Sequence, residues 1–481
     1  MPQLLMQAAP AAAISALPGS AATDEVWLEA YDAVRQDSVA WAAPEAVVTP
    51  GHALAPFKAI VPPPDDHLWS STRVRAPEAL ALVPPDPEVA WIGHADTGWG
   101  RHYQLPRSRL DLDNSLDVFS GLNDAEDPLE FIDMFDGHGV GTAALMISGD
   151  DDHLAPEDGI PDDVRGLCPN ARLTPVRCAN SVVLFSDLAL TRAIDHLARL
   201  GVDVISISLG GLPSPLLHRA VTRAIHDHQV IVIAAGGQRF PVVPYPAAYD
   251  ECIAVAATTT DDRPWESTTG GKSITIAAPG HQVLTADFGP ERAEIVKSGA
   301  GTSYATPHVS AAAALWLEYH GRARLGERYA GAQPMQEVFR EVLVGSARVP
   351  DPSWRGDRHG AGILDMKALL EMPLPPQRRS HRAHLPTPLQ HDLAALGDAL
   401  GISASQADAT MRRSARVAPA EYPVAVSEVL RDVMSLPAEE VSALRSSVAR
   451  GAPGAQVEAL ADRLPTAVAP LASPHLANRL E

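Results

Sequence analysis

Five short, mostly apolar runs recur along the middle of this chain: Val89–Asp96, Ala171–Cys178, Val202–Leu209, Val230–Ala235 and Cys252–Ala257. Runs without strict polar alternation belong to strands buried on both faces, which is the habit of parallel sheets. Amphipathic stretches lie between them. A helix is expected after His138, another over Asp187 to Leu200 with Leu190, Ile194 and Leu197 in register, and a third over Leu216 to His228. This βαβα order predicts an α/β fold, a parallel sheet with helices on both faces. Sites in such sheets gather at the carboxyl ends of strands, where Asp96 and Gly236-Gly237 fall.

With 481 residues the chain is long enough for two to three domains. Residues 1–64 read as an N-terminal extension: a capped helix start at Thr23-Asp-Glu-Val-Trp-Leu, then a proline-punctuated linker from Pro44 to Pro64. Residues 65–372 hold the α/β unit, opened by one short helix over Trp69 to Leu80. A Pro- and Arg-rich linker, 373–388, leads into 389–481. There Leu393/Leu396/Leu400, Val426/Val429/Val433 and Val441/Leu444/Val448 recur at helical spacing, which predicts a small all-α module. Two readings of that module stay open: a surface for a regulatory protein partner, or a packing appendage on the core.

A net charge of −21 argues against nucleic acid or an anionic membrane as the main partner. No apolar run approaches the ~18 residues of a membrane span. Cys168, Cys178 and Cys252 lack metal-like spacing and read as free, buried thiols. The apolar start, Met1 to Ala22, has no Lys or Arg before Arg35 and is interrupted by Pro10 and Pro18. A cytoplasmic setting is therefore expected, with secretion as the minority alternative.

The chemistry centres on Gly299-Ala-Gly-Thr-Ser-Tyr-Ala-Thr-Pro-His-Val309, a glycine-rich turn that delivers Ser303 to the start of an alanine-rich helix. Backbone N–H groups and the positive helix end there stabilise a developing negative charge. Pro307 is expected within the first turn, where its missing N–H is not needed. Acyl transfer needs a nucleophile, a base and an acid that orients the base; Ser303, His138 and Asp96 fit these roles. Each alone has an ordinary structural use as a turn or cap residue. Their joint placement beside glycine, in strand–helix connections of one sheet, favours catalysis.

Ala95-Asp-Thr-Gly98, Gly137-His-Gly-Val-Gly-Thr142 and Gly301-Thr-Ser-Tyr-Ala-Thr-Pro-His-Val309 resemble the Asp, His and Ser motifs of the subtilisin-like serine peptidases, the subtilase family. Gly166-Leu-Cys-Pro-Asn-Ala171, Ser208-Leu-Gly-Gly211, Tyr245-Pro-Ala-Ala-Tyr249 and Ala277-Ala-Pro-Gly280 recur at the expected places, so that the resemblance covers roughly Asp65 to Leu370. It implies a serine endopeptidase acting on a protein or peptide substrate. Asp96, His138 and Ser303 would form the triad, Ser208, Leu209 and Gly210 would pair with an extended substrate, and Ala235 and Gly236 would line the cleft.

One departure stands out. The family places an asparagine donor in the oxyanion hole, whereas this chain reads Ala235-Gly236-Gly237-Gln238. The Ser303 backbone N–H remains. The substitute donor is left open between Thr302, at its Oγ, and Gln238, if the loop slips by one residue from Gly237. A hole completed by a partner or substrate, and a deliberately slow enzyme, are also open. From a different class comes the alternative of a catalytically impaired peptide-binding or scaffold protein. No cofactor is expected. Asp150-Asp-Asp152, Asp158 and Asp162-Asp163 form an acidic loop without recognisable ligand spacing, so calcium is not assigned and the metal set is empty.

Overall fold

The structure, a computed structural model, describes residues 62–129, 137–149, 164–180, 187–239, 242–378 and 388–414, with short pieces at 4–6, 42–44 and 59–60 and isolated positions between 422 and 445. The helix start at Thr23, the acidic loop at Asp150 to Asp163 and the segments beyond Arg445 lie outside the described residues.

Seven strands form the main sheet: β1 (Trp91–Asp96), β2 (Leu116–Asp117), β3 (Arg172–Arg177), β4 (Val204–Ile207), β5 (Ile231–Ala235), β6 (Ile253–Thr258) and β7 (Ile274–Pro279). Their order is β7-β6-β5-β4-β1-β3-β2, and every pairing is parallel. After β1 the chain passes to the edge strand β2, comes back to place β3 beside β1, and then crosses to place β4 on the other side of β1. Such a reversal opens a crevice beyond the carboxyl ends of β1 and β4.

Successive residues of the strands feed two separate cores. On one face Ile92, Val204, Ile231 and Ile233 meet α1 (His138–Ile147), α4 (Thr302–His320) and α5 (Met335–Ser346). On the other, Ala95, Ile205, Ile207, Val232 and Ala234 meet α2 (Asp187–Leu200) and α3 (Pro215–His226). Each fully buried Leu, Ile or Val contributes on the order of 1.5–3 kcal/mol. Ser214 caps α3 by accepting from the Leu216 and Leu217 N–H groups, with Pro215 in the first turn, an arrangement worth about 1 kcal/mol.

An antiparallel hairpin that the apolar runs do not reveal, β8 (His281–Phe288) and β9 (Glu294–Ala300), delivers the chain to α4. The two-residue strand Ala59–Ile60 adds to its edge, opposite Ala300 and Gly299.

Two local expectations are corrected. Trp69 to Leu80 is not one helix but two, Trp69–Arg73 and Ala76–Leu80. Arg75 between them adopts φ 58°, and Pro77 cannot donate to a continuing helix. Pro307 lies inside α4, beyond its first turn. The carbonyl one turn earlier, on Ser303, is thereby left without its helical donor.

At the C-terminal end α6 (Pro388–Leu400) and α7 (Ala404–Ser414) pack side by side. Leu393, Leu396, Leu400 and Met411 join the second core, as do Val426, Val429 and Val433. This all-α region thus lies against α3 and the Tyr245–Tyr249 segment.

Candidate active site

Asp96 ends β1 and is fully buried. Its Oδ1 accepts from Thr97 N–H and faces His138 Nδ1, both at 2.7 Å. Since a carboxylate only accepts, the imidazole carries its proton on Nδ1 and leaves Nε2 free for base chemistry. Burial alone would raise the Asp96 pKa. The adjacent His138 charge and the hydrogen bonds from His138 and His94 outweigh it and hold the carboxyl well below the usual range.

His138 is the first residue of α1, after Gly137 in the left-handed region at φ 77°. The Asp and His segments approach so closely that a Cβ on Gly139 would lie 2.1 Å from the Gly98 carbonyl oxygen. Only glycine fits, which is the physical reason for the Gly-His-Gly spacing. Thr97 Oγ1 accepts the Gly139 N–H at 3.0 Å and donates to Asp127 Oδ2 at 2.8 Å, while Gly137 N–H donates to the same oxygen at 2.9 Å. Asp127 is therefore a brace that the sequence pattern did not single out.

His94 was missed as well. It sits two residues before Asp96, so strand periodicity turns both side chains to the same face. Its Nε2 lies 2.9 Å from Thr142 Oγ1 and 3.4 Å from Asp96 Oδ2, and Thr142 Oγ1 donates to Asp96 Oδ2 at 3.2 Å. A histidine in an apolar strand reads as core. The i, i+2 spacing from an aspartate at a strand end was the available signal.

Ser303 enters in the first turn of α4. Its Oγ donates to the Ser208 carbonyl oxygen at 3.0 Å, and Ser208 Oγ donates to the Ser303 carbonyl oxygen, also at 3.0 Å. The second bond fills the place that Pro307 leaves empty. Within the described residues Ser303 Oγ makes no hydrogen bond to His138 Nε2. The His138 ring centroid lies 6.3 Å from that of Tyr304, the residue after Ser303.

The remaining candidates follow β4 and β5 at the same end of the sheet. Ser208 and Leu209 follow β4 and are buried; Gly211, just beyond Gly210, pairs with Tyr245 through both backbone groups. Ala235 ends β5, and Gly236 N–H donates to Val255 at 2.8 Å. Gly237 adopts φ 83°, and its N–H is engaged by Thr302 Oγ1 at 3.2 Å. The side chain of Gln238 reaches across, and its Oε1 accepts from Thr302 N–H at 3.1 Å.

Cys168, Cys178 and Cys252 are free and buried. Among the described residues no cluster of three His, Cys, Asp or Glu side chains is placed to hold a metal ion, and no helix is long and apolar enough to cross a membrane.

Residues 89–365 match the sequence model of the Subtilase family, peptidase S8. Individual relatives agree. The chain is 31% identical over 199 residues to the intracellular serine protease of Paenibacillus polymyxa, covering 40% of this chain and 57% of that one. It is 29% identical over 279 residues to the major intracellular serine protease of Bacillus subtilis (strain 168), covering 56% and 79%. It is 34% identical over 161 residues to thermitase of Thermoactinomyces vulgaris, covering 33% and 56%. The chain thus spans little more than half the length of the first and last of these.

Proposed function

The chain belongs to the subtilase family, and from that premise we propose that it is a serine endopeptidase working through Asp96, His138 and Ser303. The observation that carries this reading is the 2.7 Å contact between buried Asp96 and His138 Nδ1, at the mouth of the crevice where Ser303 begins a helix. Turnover requires Ser303 Oγ to leave the Ser208 carbonyl, to which it donates at 3.0 Å, for His138 Nε2. The imidazole then takes the hydroxyl proton as Oγ attacks the scissile carbonyl, and returns it to the leaving amine. Asp96 fixes the tautomer and stabilises the imidazolium.

An extended protein or peptide substrate adds as a strand along Ser208, Leu209 and Gly210, with Ala235 and Gly236 at the cleft wall. The Ser303 backbone N–H is one donor to the oxyanion; of Thr302 only the hydroxyl could add to it, since its backbone N–H donates to Gln238 Oε1. A cytoplasmic setting is supported by three free thiols and by relatives named as intracellular proteases. For residues 389–481 we propose regulation of the protease through a protein partner, supported by the packing of Leu393, Leu396 and Met411 in the same core as Tyr245.

A second reading, a peptide-binding scaffold without turnover, is favoured by Gly237 where the family carries asparagine. One experiment separates the two: labelling with a fluorophosphonate probe. The enzyme reading expects labelling of the wild type and none of Ser303→Ala; equal signals from both proteins overturn it.

A further inference from the structure

We infer that the Gln238 carboxamide N–H is the side-chain donor that completes the oxyanion hole. This rests on the serine-peptidase reading above and extends it by one catalytic residue. When Ser303 Oγ bonds to the scissile carbonyl carbon, the carbonyl π pair moves to its oxygen, and the Oγ proton goes to His138. The resulting oxyanion needs donors beside Ser303.

The nearby candidates sort by what already engages them. Gly237 N–H donates to Thr302 Oγ1 at 3.2 Å, and Thr302 N–H donates to Gln238 Oε1 at 3.1 Å. Neither backbone group is available. The same second bond fixes the carboxamide: only its oxygen accepts, so Nε2 must be the end turned away from Thr302 N–H. Within the described residues Nε2 donates to nothing.

Its position is equally constrained. A Cβ built on Gly301 would lie 3.1 Å from Gln238 Oε1, 3.8 Å from Gln238 Nε2 and 3.6 Å from the Ser303 backbone nitrogen. The amide end and the Ser303 N–H therefore border one small space above Gly301, kept open because that residue has no side chain. The backbone carrying Gln238 is held on both sides: Gln238 bridges Thr268, Arg239 N–H donates to Ser267 and Thr269 N–H donates to Gly237, the last two at 2.9 Å. A donor fixed before the reaction needs no reorganisation during it. Gly237 at φ 83° turns the chain so that the next residue, rather than Gly237 itself, presents its side chain to the nucleophile.

The decisive variant is Gln238→Glu, which keeps an oxygen for Thr302 N–H and replaces the donor by an acceptor. Peptide hydrolysis should lose about 10²–10³ in kcat with KM changed by less than about threefold, the pattern of an interaction made only in the transition state. Inhibition by a peptide aldehyde, whose adduct carries the same oxyanion, should weaken in parallel. Gln238→Ala should show the same loss, and Gly237→Asn in that background should recover part of it. Wild-type kcat and aldehyde affinity in a folded Gln238→Glu protein would overturn the assignment. Should Gln238→Glu fail to fold, Gln238→Ala decides by the same two measurements. Failure of the underlying reading looks different: wild type and Ser303→Ala would then be indistinguishable toward substrate and probe.

Discussion

Ser208 and Ser303 exchange hydroxyl-to-carbonyl hydrogen bonds, both 3.0 Å, tying the strand that lines the crevice to the nucleophile turn. The pairing depends on Pro307, which withholds the N–H that would otherwise close a helical bond to the Ser303 carbonyl. Ser208→Ala removes one of the two bonds and leaves that part-buried carbonyl without its donor. A loss of about 1 kcal/mol is expected, lowering Tm by about 2–4 °C in a catalytic unit of this size. Thermal unfolding of the two proteins checks it; an unchanged Tm would remove the tie.

Asp96→Asn should leave the fold intact and reduce kcat by about 10⁴, because the amide favours the wrong imidazole tautomer. The same residue governs acid stability. Its folded pKa is depressed, so its stabilising contribution is present above the unfolded value of about 4 and is lost as pH falls below it. Unfolding free energies between pH 5 and 2 should fall more steeply for wild type than for Asp96→Asn.

His94 donates toward the Thr142–Asp96 pair and so draws negative charge from the carboxylate that His138 feels. His94→Leu removes one of the contacts that hold the Asp96 carboxyl low and should reduce kcat about 2–10-fold, the equivalent of a lost hydrogen bond of about 0.5–1.5 kcal/mol, with KM little changed. Steady-state kinetics read the loss. A wild-type kcat in a folded His94→Leu protein would show that His94 only fills space.

His391 on α6 lies buried against Tyr249, Tyr245 and His218, and His218 in turn pairs with Glu251 at 3.0 Å. Asp250 N–H donates to His391 Nε2 at 3.1 Å. Burial, and then the neighbouring His218, lower the His391 pKa, against the weaker pull of Asp250 and Glu251. A histidine held neutral in the fold contributes stability above its unfolded pKa of about 6.5, lost as pH falls below it. His391→Gln should flatten the Tm–pH curve between pH 7 and 5. A curve parallel to wild type would contradict this.

The sheet was legible because its strands carry little but apolar residues: β4 and β5 are buried at every position, and such runs have few other solutions. Asp96, His138 and Ser303 were legible because tight turns demand glycine beside them. Gln238 could be named only as an alternative, since nothing along the chain says that its side chain folds back over Gly301. The Ser208–Ser303 exchange was hidden for the same reason, as it joins positions 95 residues apart. Pro307 misled by composition: a proline near a helix start reads as an opening residue until the serine bond that replaces its missing donor is seen. Hairpin β8–β9 alternates too irregularly, with a register shift between His281 and Val283, to stand out as a pair.

Leu393, Leu396 and Met411 share an oil-filled layer with Val232 and Ala234, the strand residues behind the crevice. The trailing helices are therefore packed into the sheet's second core rather than tethered beside it. Any replacement inherits a greasy footprint shaped around Tyr245 and Tyr249, and sequence drift on either side of that footprint has to be answered on the other.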